Sequence, residues 1–426
     1  MKKIFLLLAA ASFIFTACNN NLAPEDDVKV FGDGYGSISL QLKGDIGKLK
    51  TKAAEELAGH TYEKALKETQ IFIFNDKNNV ADQASTPRAE EILYRFDNID
   101  GAEVTKTLPG IKANRTNGTK YRVVALANYK TLAPLATDAN NRNGDLSGGN
   151  NGIKIKNRGE LEAKVVELSM HDVADNGAFP MFGIVEKSDS DRSENPVNVT
   201  ANEGTDSQST ASATPAAVSL RRFVSRVHLK SIKNEIPQAY GALRIHRVYI
   251  LNGYGMWNIG ADIENYNSVA GKFNWSQLEG DGAYQPQVMR KYGTPLPITN
   301  GGSQDFDQQT AINQYFYTMP NPTLKADDNF RGAITADQKA CTRLVIEASF
   351  ENDDRNTATA AKIFYYPVTI LGANDAPMLR NTTYDVSVVI KNEGSDHPND
   401  EPVYGAIAVT VTVKDWDDGG QIEKNF

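Results

Sequence analysis

The residue with the most distinctive chemistry in this sequence is Cys18, because its thiol lies directly after an N-terminal apolar segment. Two lysines at positions 2 and 3 precede an uncharged apolar run over residues 4–15, and small residues lead from that run to the cysteine. This order is typical of a secretory signal peptide. The run is shorter than the ~20 apolar residues that a membrane-spanning helix needs, so a transmembrane anchor is the weaker interpretation. We therefore predict that residues 1–18 are a signal peptide that ends on a nucleophilic thiol.

The segment around Cys18 resembles a bacterial lipobox, in which the cysteine is acylated and becomes the mature N-terminus, although Phe15 stands where the usual motif has leucine. Each buried CH₂ of an acyl chain adds ~0.8 kcal/mol of membrane affinity, so multiple acylation anchors a protein without a spanning helix. The alternative is an ordinary signal peptide with a coincidental cysteine. Residues 19–35 are polar, charged and without periodicity, which predicts a flexible tether. Their acidic stretch resembles the surface-export signal of some Gram-negative lipoproteins, and a solvated leader is the alternative.

The other residues that could do chemistry form no recognisable site. None of the five histidines lies in a metal-ligand spacing. Cys341 has no histidine close to it in the sequence and is expected to be a buried, inert thiol. The net charge of −8 is spread along the chain and gives no indication of a nucleic-acid-binding surface. We predict a protein that is not an enzyme and that uses no cofactor or metal.

The elements predicted from the sequence are almost all strands. Short runs rich in Val, Ile, Tyr, Phe and Thr alternate with turn residues, as strands do. The predicted strands cover residues 37–42, 68–74, 120–126, 164–168, 218–232, 242–251, 314–318, 342–350, 361–370, 383–391 and 404–414. Helical patterns are confined to residues 53–66, 90–94 and 160–165, and the last of these overlaps a predicted strand. The pattern favours an all-β fold of β-sandwiches with minor short helices.

The length and the composition predict two domains. A chain of 426 residues is long enough for two cores. Residues 187–217 are rich in Ser, Asp, Asn, Thr, Pro and Gly, and a strong strand pattern resumes at Val218. We expect an N-terminal sandwich over residues 36–217 and a C-terminal sandwich over residues 218–426, after the tether.

A set of short motifs follows Cys18 in a fixed order. They are GSISLQLK at 36–43, YRVVALAN at 121–128, PMFG at 180–183, LRRFVSRV at 220–227, YFY at 315–317, YYPV at 365–368, LRNTTYDV at 379–386 and a last strand ending VKDW at 413–416. The ordered set resembles the fimbrillins, the subunits of the type V pili of Bacteroidales-type bacteria, and specifically the major stalk type. The resemblance covers nearly all of the chain.

The resemblance implies a structural function. Fimbrillins have two tandem transthyretin-like β-sandwich domains and travel to the cell surface as lipoproteins. A trypsin-like protease then cuts after the first strand, which leaves with its lipid, and the C-terminal strand of another subunit fills the open groove. An added strand satisfies unpaired backbone groups and covers an apolar trough at once. Because this head-to-tail contact does not close on itself, it produces filaments.

The resemblance also assigns roles to residues of this chain. The leaving strand would be residues 37–42, and its buried face would carry Ile38, Leu40 and Leu42. The donor would come from residues 403–426, for which the alternative is an ordinary closing strand of the second sandwich. The side chains expected to fill the groove are Ile407, Val409, Val411, Val413 and Trp416.

The cleavage site is expected in the basic loop over residues 43–52, after Lys48, Lys50 or Lys52. No arginine lies between Cys18 and Arg88, so the protease would have to accept lysine. The alternative for these three lysines is a solvated loop.

Two other functions remain open from the sequence. One is a surface lipoprotein that binds glycans, which would need an exposed aromatic platform formed, for example, by Trp257 and Trp275. The other is an anchor or tip subunit of the same pilus. In the favoured interpretation the partners are other copies of the chain, anchor and tip pilins, the maturation protease and the outer membrane, with no nucleic acid. The location is then the outer membrane and cell surface for the precursor, and the fimbrium for the mature chain.

Overall fold

The computed structural model describes residues 33–44, 66–75, 92–96, 103–115, 117–129, 142–143, 158–163, 165–167, 178–188, 193–201, 215–259, 289–306, 315–328, 340–357, 360–401, 403–415 and 422–425. The residues named above that lie outside these ranges are Phe15, Cys18, Lys48, Lys50, Lys52, Arg88, Trp275 and Trp416. Among the described helices, none is long and apolar enough to cross a membrane.

Strands dominate the described residues. In chain order they are β1 (Asp33–Gly44), β2 (Thr69–Asn75), β3 (Ile92–Phe96), β4 (Glu103–Asn114), β5 (Thr119–Ala127), β6 (Arg142–Asn143), β7 (Val165–Glu167), β8 (Met181–Ile184), β9 (Val197–Val199), β10 (Ala216–Arg222), β11 (Ser225–Asn234), β12 (Leu243–Leu251), β13 (Met256–Asn258), β14 (Met289–Ile298), β15 (Ser303–Asp305), β16 (Tyr315–Thr318), β17 (Arg343–Phe350), β18 (Phe364–Thr369), β19 (Thr382–Ile390), β20 (Ile407–Asp415) and β21 (Ile422–Asn425). The longest described helix is α1 (Arg158–Glu162), with 5 residues. The prediction of an all-β fold with minor short helices is confirmed.

The first part of the chain forms a nine-stranded sheet in the order β4-β1-β10-β8-β5-β2-β3-β6, with β9 beside β5. Strand β10 changes partners along its length, because residues 216–220 pair in parallel with β1 whereas Arg221 and Arg222 pair antiparallel with β8. Side chains from both halves of the sheet meet in one apolar cluster, among them Leu40 from β1, Leu108 from β4, Ile71 from β2 and Val123 from β5. The sheet therefore folds over itself around this cluster and makes a sandwich.

Strands β2 and β5 are buried on both faces. Ile71 and Ile73 belong to the cluster inside the first sandwich, whereas Phe72 and Phe74 belong to a second apolar cluster. This explains why these strands read as continuous apolar runs rather than as alternating ones.

The second part of the chain forms two further sheets. One has the order β15-β11-β19-β20-β21, with β16 beside β11, and the other has the order β14-β12-β17-β18. Their apolar faces meet in the second cluster, to which β11, β12, β17 and β19 all contribute. Every residue of β17 is buried. This packing places the second cluster between two sheets, and side chains of the first part such as Phe72 and Phe74 also belong to it.

The two parts of the chain are also in direct contact. Strand β7 pairs antiparallel with β13, far along the sequence. The ring of Phe179 packs against Tyr317 with centroids 4.6 Å apart. The buried guanidinium of Arg222 donates to the Asn381 side-chain oxygen at 2.9 Å. The division into two domains stays a prediction, and these contacts lie where the two would meet.

Some predicted elements need correction. Residues 90–94 were expected to be helical, but residues 92–96 form β3, which pairs with β2. The overlapping predictions at residues 160–168 are each right in part, since α1 ends at Glu162 and β7 begins at Val165. The predicted strand over residues 218–232 is two strands, and the chain passes from the first sheet to the next at Phe223 and Val224. The expected junction at residue 217 falls inside β10.

Candidate functional site

Strand β1 occupies an internal position in the first sheet. It pairs antiparallel with β4 from Asp33 to Lys43, and in parallel with β10 from Leu40 to Gly44. Both of its backbone edges are therefore hydrogen-bonded over its C-terminal half. If β1 were absent, β4 and β10 would each expose an unpaired edge, and the space between them would be open.

The side chains of β1 fill the core of the first sandwich. Ile38, Leu40 and Leu42 point inward, and each is at most 1% exposed. On the opposite face, Ser37 and Ser39 are also buried, whereas Gln41 and Lys43 are half-buried. The alternation predicted from the sequence is therefore present, with the apolar set inside. The role of these residues in a leaving strand stays a prediction.

The two ends of β1 have different surroundings, with polar contacts at the C-terminal end and close backbone packing at the N-terminal end. At the C-terminal end, Glu103 on β4 accepts a hydrogen bond from the Gln41 amide and lies 3.8 Å from the Lys43 ammonium. At the N-terminal end, the register shifts between Gly36 and Ile38, because two residues of β4 oppose the single residue Ser37 and form a β-bulge in β4. A Cβ atom on Gly36 would lie 2.6 Å from the Thr200 carbonyl oxygen. The N-terminal end therefore accepts no side chain at position 36 without movement of the neighbouring backbone.

Strand β20, which the sequence singled out as a donor, is docked in its own sheet. It pairs antiparallel with β19 from Ile407 to Asp415 and, on its other edge, with the short strand β21. Val409 is 8% exposed and Val411 is 2% exposed, whereas Ile407 and Val413 are half-buried. Its residues thus alternate as predicted, and β20 closes the second sandwich in this state.

An ionic contact holds the C-terminal end of β20. The Lys414 ammonium lies 2.7 Å from one carboxylate oxygen of Asp385 on β19. The other oxygen of Asp385 lies 3.1 Å from Nδ1 of His228 on β11. The imidazole stacks on Tyr315 of β16 with centroids 4.3 Å apart. Three adjacent strands are therefore tied together through one buried carboxylate.

The charge state of Asp385 is set by these neighbours. Burial of the carboxylate opposes ionisation, but hydrogen bonds and charges from His228 and Lys414 outweigh it and lower the pKa of Asp385 from 3.8 to about 2. The side chain is therefore a carboxylate at neutral pH, and it needs a cationic partner because an unpaired buried charge is strongly destabilising. The geometry of this network is that of a tie between neighbouring strands.

The remaining titratable candidates have structural environments. Burial raises the pKa of the Cys341 thiol to about 12, so the thiolate is disfavoured. Burial, with the charges of Arg247 and Arg244, lowers the pKa of His246, whose ring nitrogen lies 2.9 Å from the Ser349 hydroxyl. Within the described part of the chain, no group of three or more His, Cys, Asp or Glu side chains is arranged to hold a metal ion.

The aromatic platform considered for glycan binding is not supported by Trp257. Its side chain is fully buried in the second apolar cluster. It therefore has no surface to offer to a sugar. Trp275 lies outside the described residues.

The sequence missed two parts of this site. Strand β4, which forms one wall around β1, contains Pro109 and Gly110, which read as a turn. In the structure these two residues oppose Ser37 at the bulge, a position that tolerates Pro. The contact of Asp385 with His228 and Lys414 was also missed, because only the pairing of β11, β19 and β20 brings these residues together.

Comparisons with known proteins give the fold. No protein-family model matches the sequence, and no curated protein matches it. A Parabacteroides distasonis protein assigned to cell adhesion matches with a TM-score of 0.55 at 15% identity, over 92% of this chain and 99% of that one. A fimbrilin from Porphyromonas gingivalis matches with a TM-score of 0.50 at 14% identity, over 89% of this chain and 97% of that one. The chain therefore shares its fold, over most of its length, with a fimbrilin and a cell-adhesion protein of known structure.

Proposed function

We propose that this chain is a subunit of surface fimbriae, of the stalk type, that polymerises by strand exchange after proteolysis and so supports adhesion and biofilm formation. In the proposal, residues 33–44 leave the first sandwich, and the C-terminal region of another copy takes their place. The fold shared with a fimbrilin supports the general assignment.

The position of β1 is the observation that carries the proposal. A strand that lies between two others and fills the core leaves a slot with two free edges and an apolar floor when it is removed. Burial of an Ile or Leu side chain contributes ~1.5–3 kcal/mol, so the three inward side chains contribute on the order of 5–9 kcal/mol. This burial opposes the spontaneous release of β1. Once β1 has left, the same burial favours the binding of another strand in the empty slot.

Proteolysis supplies a way past this barrier. As long as β1 is covalently joined to the rest of the sandwich, it rebinds at a very high effective concentration. A cut after Lys48, Lys50 or Lys52 makes β1 a separate peptide, which carries the lipid on Cys18 with it. An incoming strand then competes with a detached peptide instead of with a tethered one.

The other proposed features follow from the same sequence of events. The precursor is held at the outer membrane by the acylated Cys18 and is exported to the surface, where a trypsin-like protease acts on it. The mature chain then has other copies of itself as neighbours along the filament, and anchor and tip pilins at the two ends. Residues 403–426 supply the donor strand.

Treatment of the purified precursor with a lysine-specific protease tests the proposal. We expect ladders that resist SDS and filaments that are visible by electron microscopy, built from chains that begin between residues 49 and 53. The matched control replaces Lys48, Lys50 and Lys52 by Gln, which should leave the precursor folded and monomeric under the same treatment. Material that is cut in this loop and yet stays monomeric, with β1 still bound, would contradict strand exchange.

A further inference from the structure

We propose that residues 409–414 of one copy take the place of residues 38–43 of the next copy, and in the same direction. The incoming strand then runs parallel to β10 and antiparallel to β4, as β1 does. This inference rests on the proposed strand exchange and adds its register, its direction and its length.

The inward faces of the two strands match. In β1 the core positions are Ile38, Leu40 and Leu42, at a spacing of two. In β20 the corresponding set at the C-terminal end is Val409, Val411 and Val413. Superposing Val413 on Leu42 puts an aliphatic side chain at each of the three core positions, because successive side chains of a strand alternate between faces.

The outward faces match in the same register. Ser39 is buried on the outward face of β1, and Thr410, which is also a small residue, takes its place. Thr412 then replaces Gln41. Lys414 replaces Lys43, so that its ammonium lies beside Glu103 on β4, where the Lys43 ammonium is 3.8 Å from the carboxylate.

The opposite direction fits worse. If the strand were reversed with its valines still inward, Val409 would replace Leu42 and Lys414 would replace Ser37. Ser37 is only 9% exposed and lies against the bulge of β4. A lysine ammonium placed there would lose most of its hydration, whereas at position 43 it would lie beside the Glu103 carboxylate. The charge pattern therefore selects the direction that keeps Lys414 next to Glu103.

The length of the exchanged segment is limited by Gly36. In the proposed register, Ile407 would occupy the position of Gly36, where a Cβ atom would lie 2.6 Å from the Thr200 oxygen and 2.7 Å from a methyl group of Val199. Such contacts do not occur without displacement of backbone. The inserted segment therefore begins at Val409, and residues before it diverge from the path of β1.

The exchange also conserves a charge pair for Lys414. In the docked state its ammonium is paired with Asp385 at 2.7 Å. After transfer it would be paired with Glu103 of the acceptor copy. Asp385 would keep its contact with His228, 3.1 Å away. The buried carboxylate is thus left with a basic partner when β20 departs.

Four threonines provide a direct test by disulfide cross-linking. In the proposed register, Thr412 of one copy lies opposite Thr105 of the next, and Thr410 lies opposite Thr107, because Thr105 and Thr107 face Gln41 and Ser39 of β1. Directly opposed residues of antiparallel strands have Cα atoms ~4.5–5.5 Å apart, which suits a disulfide. In the reversed direction, Thr412 would lie opposite Thr107 and Thr410 opposite Thr105. These crossed pairs are therefore the matched controls.

The experiment uses the full chain, secreted, protease-treated and oxidised with diamide, with paired substitutions such as Thr412→Cys and Thr105→Cys. Before exchange, Thr412 faces Asp385 on β19 and Thr105 faces Gln41 on β1, so the precursor should not cross-link. Each cysteine variant is first checked for filament formation under reducing conditions. The native Cys341 is buried, which limits its reaction.

The expected result is a covalent ladder, at least ten times more abundant for the proposed pairs than for the crossed pairs. Filaments in which only the crossed pairs react would overturn the direction while leaving strand exchange intact. Filaments in which neither set reacts would overturn both the register and the use of residues 409–414. A wild-type chain that is cut in the 43–52 loop but forms no filaments would contradict the proposed function itself.

Discussion

The first strand β1 and the late strand β20 are both internal strands with alternating apolar side chains, yet they are held very differently. The inward residues of β1 are at most 1% exposed, whereas two of the four inward apolar residues of β20, Ile407 and Val413, are half-buried. Strand β20 is covered on one edge only by β21, a strand of four residues at the end of the sheet. In the proposed exchange, this difference means that β20 separates by opening the end of a sheet, whereas β1 needs a covalent cut before it can leave.

The largest effect that distinguishes the two strands is expected at Leu40. Leu40→Ala leaves a cavity in a fully buried site and should lower the free energy of unfolding of the precursor by ~2–5 kcal/mol. The same substitution should leave the assembled filament unchanged in stability, because residue 40 is no longer part of it. Denaturant unfolding of the precursor and thermal dissociation of the filament measure the two effects. A filament weakened as much as the precursor would mean that β1 is retained.

The matched substitution in β20 is Val411→Ala. Val411 is 2% exposed in its own sheet and is proposed to fill the Leu40 position of the next copy. We expect a loss of ~1.5–3 kcal/mol in the precursor and a lower dissociation temperature of the filament as well, since the side chain is buried in both states. The same two measurements apply. An unaffected filament would remove Val411 from the inserted segment.

The contact of Asp385 with His228 and Lys414 predicts how acid affects the second sandwich. Because the pKa of Asp385 is lowered from 3.8 to about 2 in the folded chain, its contribution is present above pH ~4 and is lost as the pH falls toward 2. The contribution is on the order of 2 kcal/mol. Urea unfolding between pH 5 and 2, followed by a probe in the second sandwich, measures it.

The control for the acid experiment is Asp385→Asn. This variant should be less stable at neutral pH, because His228 and Lys414 lose their carboxylate, and it should lack this part of the pH dependence. An identical pH profile in the variant and the natural chain would assign the acid effect to another group.

The smallest effect is expected at Glu103. Its carboxylate and the Lys43 ammonium are both about half exposed, at 47% and 43%, and 3.8 Å apart. Exposed pairs of this kind contribute ~0–1 kcal/mol, so Glu103→Gln should scarcely change the unfolding of the precursor. Unfolding curves at low and high salt provide the measurement. A loss as large as that for Leu40→Ala would show that the polar edge, and not the apolar face, holds β1.

The sequence was informative where a local pattern decides the structure. Strands β1 and β20 were predicted because aliphatic side chains alternate along them, and this alternation is a local property. The sequence was less informative where the same local pattern is compatible with both a helix and a strand. Residues 90–94 have good helix formers, yet residues 92–96 pair with β2, since tertiary pairing overrides a weak preference.

The parts that were missed depend on partners that are distant in the sequence. The parallel pairing of β1 with β10 joins residues 40–44 to residues 216–220, and no feature of a single sequence specifies it. Strand β4 was not predicted because it contains Pro109 and Gly110, and such residues occur both in turns and at β-bulges. The contact between Lys414 and Asp385 becomes visible only when the register of β19 and β20 is known. The similarity of Lys43 and Lys414 at the ends of their strands was present in the sequence, but its meaning depends on Glu103.

The central claim is that a strand from another copy occupies the position of β1 in the filament. Amide hydrogen exchange followed by mass spectrometry, on filaments taken from the cell surface, tests it most directly. We predict that peptides covering residues 33–44 are missing and that the amides of β4 over residues 103–108 are as protected as in the precursor. Filaments in which residues 33–44 are present and protected, or in which the β4 edge exchanges freely, would contradict the account.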